Sequence, residues 1–596
     1  MALAAPQRPA TVFMPVGEVK PGMIGVSRTV FSGDTLEDFQ VQIIGTLDNA
    51  IGPGRPLILA KLLGARLAET GVIAGMSGSP VYIDGKLVGA VSYALGSFPK
   101  EPIAGITPIQ QMLDDVDRPA NTSRAASREF ALGASATPAD VFAALGRVFA
   151  RAAAPVSAIP AALLGEPALA SATLRPIGAA FSVRGFDTSM TGELGRALGN
   201  TALRSEAAAT DAPQQTTTDP LRPGDAIGAS LLHGDFEMGA TGTITYINGN
   251  RLYAFGHPFL GLGPAQMAMT RARVLTVLPS LQNSMKVANL GPTIGTMSQD
   301  RATAVGGDIG AMARELAVSL HLMDTGRGGT PRTFSFRVAH DPAMTPLFAY
   351  VAMLNVLTSY QRQTGVITIG INGTASFGTS GTITIDDLFS GDQAFAGAAN
   401  TVLGPLSAMM NNDFGTAAPD TLDLTLTVSE TQSGLTIERA WLDTAHPVFG
   451  KTHTLHVLLR NFRGQTETRS LPITMPARGP ANVTLLVSDA PTLAALEDKE
   501  IDPNWAKTSE DLVVGINRTR RNNRLYVRLL ASAPGTLISG RAQPSLPSST
   551  RSVLDADKSI GASALTRTFV GAWEERLDRV VKGSREIALT LSADIR

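Results

Sequence analysis

Residues Gly71–Leu95 read G-V-I-A-G-M-S-G-S-P-V-Y-I-D-G-K-L-V-G-A-V-S-Y-A-L. The first half is a Gly/Ser turn centred on Ser77. The second half alternates around Asp84-Gly85, the dipeptide that closes a two-residue β-hairpin. Glycines on both sides of Ser77 let the main chain curl and leave amide N–H groups free to face an anion. Acyl transfer needs a nucleophile beside fixed donors, so the turn predicts Ser77 as nucleophile with the N–H groups of Gly75 and Ser77 as oxyanion donors. Pro80 then releases the chain into a strand.

On the N-terminal side, Val12–Asn49 reads as short strands (V-F-M-P-V, G-M-I-G-V-S-R-T-V-F, F-Q-V-Q-I-I-G-T-L), and Pro56–Leu63 adds an apolar run. With I-A-G-I-T-P-I at Ile103–Ile109, residues 12–116 are expected to form one β-barrel. Residues 117–220 are Ala- and Pro-rich, helix-permissive at first, and end in the linker D-A-P-Q-Q-T-T-T-D at Asp211–Asp219. A second β segment, 221–330, opens with a partial echo: Gly242–Ala254 reads G-T-I-T-Y-I-N-G-N-R-L-Y-A against G-S-P-V-Y-I-D-G-K-L-V-G-A. Hairpin grammar alone, or a pair of similar barrels, accounts for it. The second hairpin runs into F-G-H-P-F-L-G-L-G-P, which puts His257 in a Gly/Pro loop at a strand end.

Beyond it, 331–415 reads as a mixed α/β region, with a helix from Thr345-Pro346 (Thr as N-cap) to about Tyr360. Residues 416–490 alternate strongly and predict an immunoglobulin-like β-sandwich. Residues 491–596 form a C-terminal α/β extension in which Arg518, Arg520 and Arg521 follow a helix end. At 596 residues the chain is long enough for several cores, and 50 Lys+Arg against 51 Asp+Glu leave no global field for nucleic acid or an anionic membrane. Cysteine is absent, which removes disulfides, thiolate catalysis and Cys-ligated metals. No stretch is apolar for the length of a membrane span. Met1–Pro6 carries a small-x-small pattern like the end of a secretory signal, so a secreted or periplasmic location is expected, with the signal removed.

A serine needs a base. Of seven histidines, His233, His321, His340, His446, His453 and His456 sit in ordinary alternating or loop text; His257 alone lies in a tight Gly/Pro loop, where it is either that base or a buried structural imidazole. A serine loop followed by an antiparallel hairpin is the arrangement of chymotrypsin-like double barrels, not of an α/β-hydrolase elbow. By that logic Val91, Ser92, Tyr93 and Ala94 form either a substrate-binding edge or an ordinary core strand.

The run Gly75–Pro80 with V-Y-I-D-G-K-L-V-G-A-V-S-Y and A-G-I-T-P-I resembles the signature of the SpoIVB-type serine peptidases. The segments A-T-G-T-I-T-Y, Y-A-F-G-H-P-F and M-K-V-A-N-L-G-P-T-I-G-T-M-S-Q-D-R resemble that family's histidine-bearing part. The resemblance implies Ser77 as nucleophile, His257 as general base, a peptide or protein substrate, and no metal or organic cofactor. Two features depart from the family. The serine part precedes the histidine part, as though the barrels were permuted, and Gly64 stands where the family has its acid. Asp300 is the candidate for the missing acid, against an ion pair with Arg301 or a turn cap, with Asp235 behind it. The expected fold is therefore mainly β: a chymotrypsin-like double β-barrel in permuted order, a mixed α/β region and an immunoglobulin-like sandwich. The expected activity is that of a serine endopeptidase; the alternative is a catalytically silent envelope protein that keeps the peptidase fold for binding.

Overall fold

The computed structural model describes residues 11–64, 66–95, 101–119, 132–133, 135–155, 157–158, 173–198, 203–205, 219–280, 283–324, 330–359, 366–415, 417–498, 506–531, 535–538, 541–543, 546–556, 563–565 and 567–593. Met1–Pro6 and nearly all of the 211–219 linker lie outside them. The fold is mainly β. The chain divides into two compact units, Met1–Leu132 with Ala136–Val318 and Ser335–Asn355, and Gly133–Ser135 with Ser319–Phe334 and Val356–Arg596.

The first unit holds two rings of paired strands. The first ring uses β1 (Ile24–Ser32), β2 (Thr35–Leu47), β3 (Leu57–Leu63), β4 (Ser79–Ile83), β5 (Lys86–Leu95) and β6 (Ile103–Pro108). These pair in the order β1-β2-β3-β6-β5-β4, and β4 returns to β1. Alternation closes it: β2 buries Phe39, Val41 and Ile43 on one face, and these meet Ile58, Ala60, Leu62, Val81, Val91 and Ile106 in one core. Each such aliphatic side chain contributes about 1.5–3 kcal/mol on burial.

Residues between the rings supply β7 (Ser157–Ala158), β8 (Thr173–Pro176), β9 (Ala180–Arg184) and β10 (Leu203–Ser205); β8 pairs with β5, and β9 with a strand of the second ring. That ring uses β11 (Ala226–Gly234), β12 (Glu237–Asn248), β13 (Arg251–Ala254), β14 (Gly263–Leu278), β15 (Met285–Arg301) and β16 (Ala304–Ile309). It runs β11-β12-β13-β16-β15-β14 and closes on β11. Counted within each ring, both follow the order first, second, third, sixth, fifth, fourth.

The hairpins of the sequence echo differ in detail. Ile83 pairs with Lys86, so Asp84-Gly85 is the two-residue loop, and both have positive φ (50° and 76°), as a type I′ turn requires. In the second hairpin Asn248 pairs with Arg251, so the loop is Gly249-Asn250, one residue later than the expected Asn-Gly. A register shift between Ile244 and Tyr246 adds a residue to β12, whereas the shift in the first hairpin adds one to β5.

In the second unit, Ile367–Ser376 pairs with Thr382–Gly391 and with Thr421–Ser429. One four-stranded sheet is built from Gly434–Leu442, Thr452–Asn461, Thr466–Thr474 and Val580–Lys582; another is built from Asn482–Ser488, Arg524–Ala531, Thr568–Arg576 and Ser584–Thr590. They share one core, with Leu435, Ile437, Val457 and Leu459 meeting Leu485, Val487, Val527 and Leu529. The apolar helix expected at Thr345 spans Met344–Ser359, and its cap and its residues up to Asn355 belong to the first unit. Asp341, not Thr345, accepts the N–H groups of Ala343 and Met344, while the Thr345 hydroxyl donates to the Ala339 carbonyl. No helix among the described residues is long and apolar enough to cross a membrane.

Candidate active site

Ser77 lies on the loop between the third and fourth strands of the first ring, and His257 on the corresponding loop of the second, between β13 and β14. β12 brings the two loops together. Thr243 donates its N–H to the Ser77 carbonyl (2.8 Å) and its hydroxyl to the Gly75 carbonyl (3.1 Å), and the Thr245 hydroxyl donates to the Gly78 carbonyl (2.7 Å). The Phe255 N–H in turn donates to the Thr243 carbonyl at 3.3 Å. The fit is close enough to require glycine: a Cβ on Gly78 would lie 2.0 Å from the Thr243 oxygen and 2.6 Å from the Phe255 nitrogen. Phe255 itself has φ of 70°, an uncommon conformation for a bulky residue, two positions before His257.

Ser77 is fully buried and its Oγ has no hydrogen-bond partner among the described residues; the buried Nε2 of His257 has none among them either. The two atoms are therefore not hydrogen-bonded to each other. His257 Nδ1 lies 2.7 Å from the Pro258 carbonyl, which only accepts, so Nδ1 carries the proton and Nε2 keeps its lone pair. Burial among apolar groups, including the rings of Tyr93 and Phe255 set edge-on, pulls the imidazole from 6.5 down to about 4, against the carbonyls of Pro258 and Ile177. It is neutral at physiological pH.

Asp300 does not hold the imidazole. Its buried carboxylate accepts N–H groups from Phe259 (2.7 Å), Leu260 (2.8 Å) and Leu262 (3.1 Å), the loop that follows His257. Burial pushes its carboxyl up while these amides pull it down, and the balance is upward. Asp235 accepts the Ser335 N–H at 2.6 Å.

Among the expected oxyanion donors, the Gly75 N–H is committed to the Gly178 carbonyl at 3.2 Å. The Ser77 N–H has no partner among the described residues. The expected substrate edge is covered as well: Val91 O accepts the Gly78 N–H, Ser92 O accepts the Ile177 N–H, and Tyr93 and Ala94 pair with Pro176 and Arg175.

Lys286 escaped the sequence reading. It is 1% exposed, its methylenes pack on Gly75, and its ammonium donates to the hydroxyls of Thr29 (2.7 Å) and Thr243 (3.4 Å). Burial lowers it to about 7. Its only signal in the text is a lysine in the M-K-V-A run, indistinguishable there from an outward one. Among the described residues no group of three or more His, Cys, Asp or Glu is placed to hold a metal.

Residues 7–113 match the family model described as SpoIVB peptidase S55. The match contains Ser77 and stops before His257. No curated protein and no solved structure matches the chain.

Proposed function

We propose that the chain is a serine endopeptidase of the SpoIVB type, built on a chymotrypsin-like pair of barrels in permuted order. The observation that carries this reading is the pairing of corresponding loops: the two rings share one strand order, and Thr243 of β12 hydrogen-bonds both third-to-fourth loops, at the Ser77 carbonyl on one and at the Phe255 N–H, two residues before His257, on the other. Ser77 Oγ adds to the scissile carbonyl carbon as its proton passes to His257 Nε2, and the oxyanion is held by the Ser77 N–H. Collapse expels the amine, which takes that proton, and water then hydrolyses the acyl-enzyme with the same base. The Pro258 carbonyl does for Nδ1–H what a triad carboxylate does elsewhere, fixing the tautomer.

A fluorophosphonate probe tests this. Labelling of the chain should vanish in Ser77→Ala and slow by about 10²–10⁴-fold in His257→Gln, the usual worth of general-base catalysis. Equal labelling of the chain and of Ser77→Ala rejects the nucleophile. The carboxylate turned away from His257 favours a second reading, a silent binding protein that retains the fold. No labelling at any pH, with a folded chain, supports it.

A further inference from the structure

Pairing of β4 with β5 ends at Ser79 and Val91. Beyond that point the same edge of β5 runs past the Ser77 turn as Ser92–Leu95, where a peptide would add as an extra strand. We infer that Thr173–Gly178, that is β8 with Ile177 and Gly178 behind it, occupies this cleft as an internal mimic of substrate, so that the chain is held shut until the segment is displaced. The inference rests on the peptidase reading, which is what makes β5 a substrate edge.

One continuous segment takes the edge of β5 and one of the two expected oxyanion donors, leaving the Ser77 N–H without a partner among the described residues. Leu174, Arg175 and Pro176 pair antiparallel with Leu95, Ala94 and Tyr93. The Ile177 N–H donates to the Ser92 carbonyl at 2.8 Å, and the Gly178 carbonyl takes the Gly75 N–H, an oxyanion donor in waiting. A strand that only widened the sheet would have no reason to deliver its last carbonyl into the nucleophile turn.

The side chains state what the cleft accepts. Ile177 enters the first ring's core with Met76 and Val91, and Leu174 enters a second cluster with Leu57, Tyr93, Leu95 and Ile103. Arg175 is exposed and Pro176 half-buried. The preferred ligand is thus an extended peptide with apolar residues three positions apart and no demand on the pair between them. Tethering gives the internal segment an effective concentration on the order of millimolar, so added peptides compete poorly while it is seated.

A fluorescent peptide of the sequence Thr-Leu-Arg-Pro-Ile-Gly-Ala-Ala is titrated into full chains carrying Ser77→Ala, with and without Leu174→Ala and Ile177→Ala together. Anisotropy should show at least tenfold tighter binding to the doubly truncated chain, and the same truncation with Ser77 intact should label with fluorophosphonate at least tenfold faster. Unchanged peptide affinity together with an unchanged labelling rate overturns the inference and leaves the peptidase reading standing. Tighter peptide binding with no labelling of any chain upholds the occupied cleft and rejects the peptidase reading instead. Should the truncated chain not fold, hydrogen exchange decides on the unaltered one. After Ser77 reacts with a Leu-Arg-Pro-Ile phosphonate, residues 173–178 should lose protection; full protection over them with Ser77 occupied overturns the inference.

Discussion

His257 and Lys286 are both buried without a counterion among the described residues, and the consequence for pH runs in one direction. Between about 4 and 6.5 the unfolded chain protonates His257 and the folded one does not. The stability this residue contributes is therefore complete above 6.5 and is lost as pH falls through about 4, a swing of about 3 kcal/mol. Urea titrations of the chain and of His257→Gln should show the variant gaining on the parent as pH drops across that window; a constant difference contradicts the assignment. Lys286, lowered from 10.5 to about 7, follows the same sign in a higher window: its contribution is complete above 10.5 and is lost as pH falls through 7. Lys286→Met should melt higher than the parent at pH 7, with the gap closing toward pH 10, since the Thr29 and Thr243 hydroxyls remain 3.2 Å from each other. On the peptidase reading Asp300 acts as a positioning residue, through the loop amides it accepts. Asp300→Ala leaves three buried amides without an acceptor, a loss of about 3 kcal/mol, and should slow Ser77 labelling without moving its acid limb. A shifted limb would mean that the carboxylate acts on the imidazole directly.

Among the elements, the Ser77 turn depends on glycine in a way its neighbour hairpin does not. Gly78 has φ of 99° and no room for a Cβ against the backbone of Thr243 and Phe255; Gly85 has φ of 76° and open space around it. Gly85→Ala should therefore lose about 1 kcal/mol from backbone strain alone. Gly78→Ala should lose upwards of 3 kcal/mol, because it must also part β12 from the turn. Thermal melts of the two variants compare them directly, and equal losses would place the loops further apart than the hydrogen bonds indicate. The same elements show what a sequence can carry. The Gly/Ser turn at Ser77, the Gly/Pro loop at His257 and the Asp84-Gly85 hairpin were legible because turn chemistry is local: glycine, proline and the small residues announce positive φ where it is needed. The echo of the two hairpins was not a barrel repeat, since one joins the fourth and fifth strands of its ring and the other the second and third. Any two-residue hairpin has that grammar, and the identity of the rings lies in long-range pairing that no short window contains. Asp300 was legible as an acid of the second ring, with its partner left open between the imidazole, Arg301 and a turn cap, because a carboxylate that meets an imidazole and one that meets three amides leave the same text. Thr173–Gly178 offered only an unremarkable T-L-R-P-I-G, and its place on β5 is set by partners some eighty residues earlier.

At the scale of the molecule, each unit has a core of its own. Ile58 is fully buried in that of the first ring, and Leu485 in that shared by the two four-stranded sheets of the second unit. Truncating either to alanine removes three side-chain carbons and leaves a cavity, a loss of about 2–5 kcal/mol for leucine or isoleucine. Since Ser77, His257 and every group found to hold them belong to the first unit, Ile58→Ala should lower the temperature at which fluorophosphonate labelling fails, whereas Leu485→Ala should lower a calorimetric transition and leave that temperature in place. Scanning calorimetry run beside a labelling melt reads both at once. If Leu485→Ala carries the labelling midpoint down with it, the second unit is needed to keep the serine site folded, and the site is a property of the whole chain and not of the two rings.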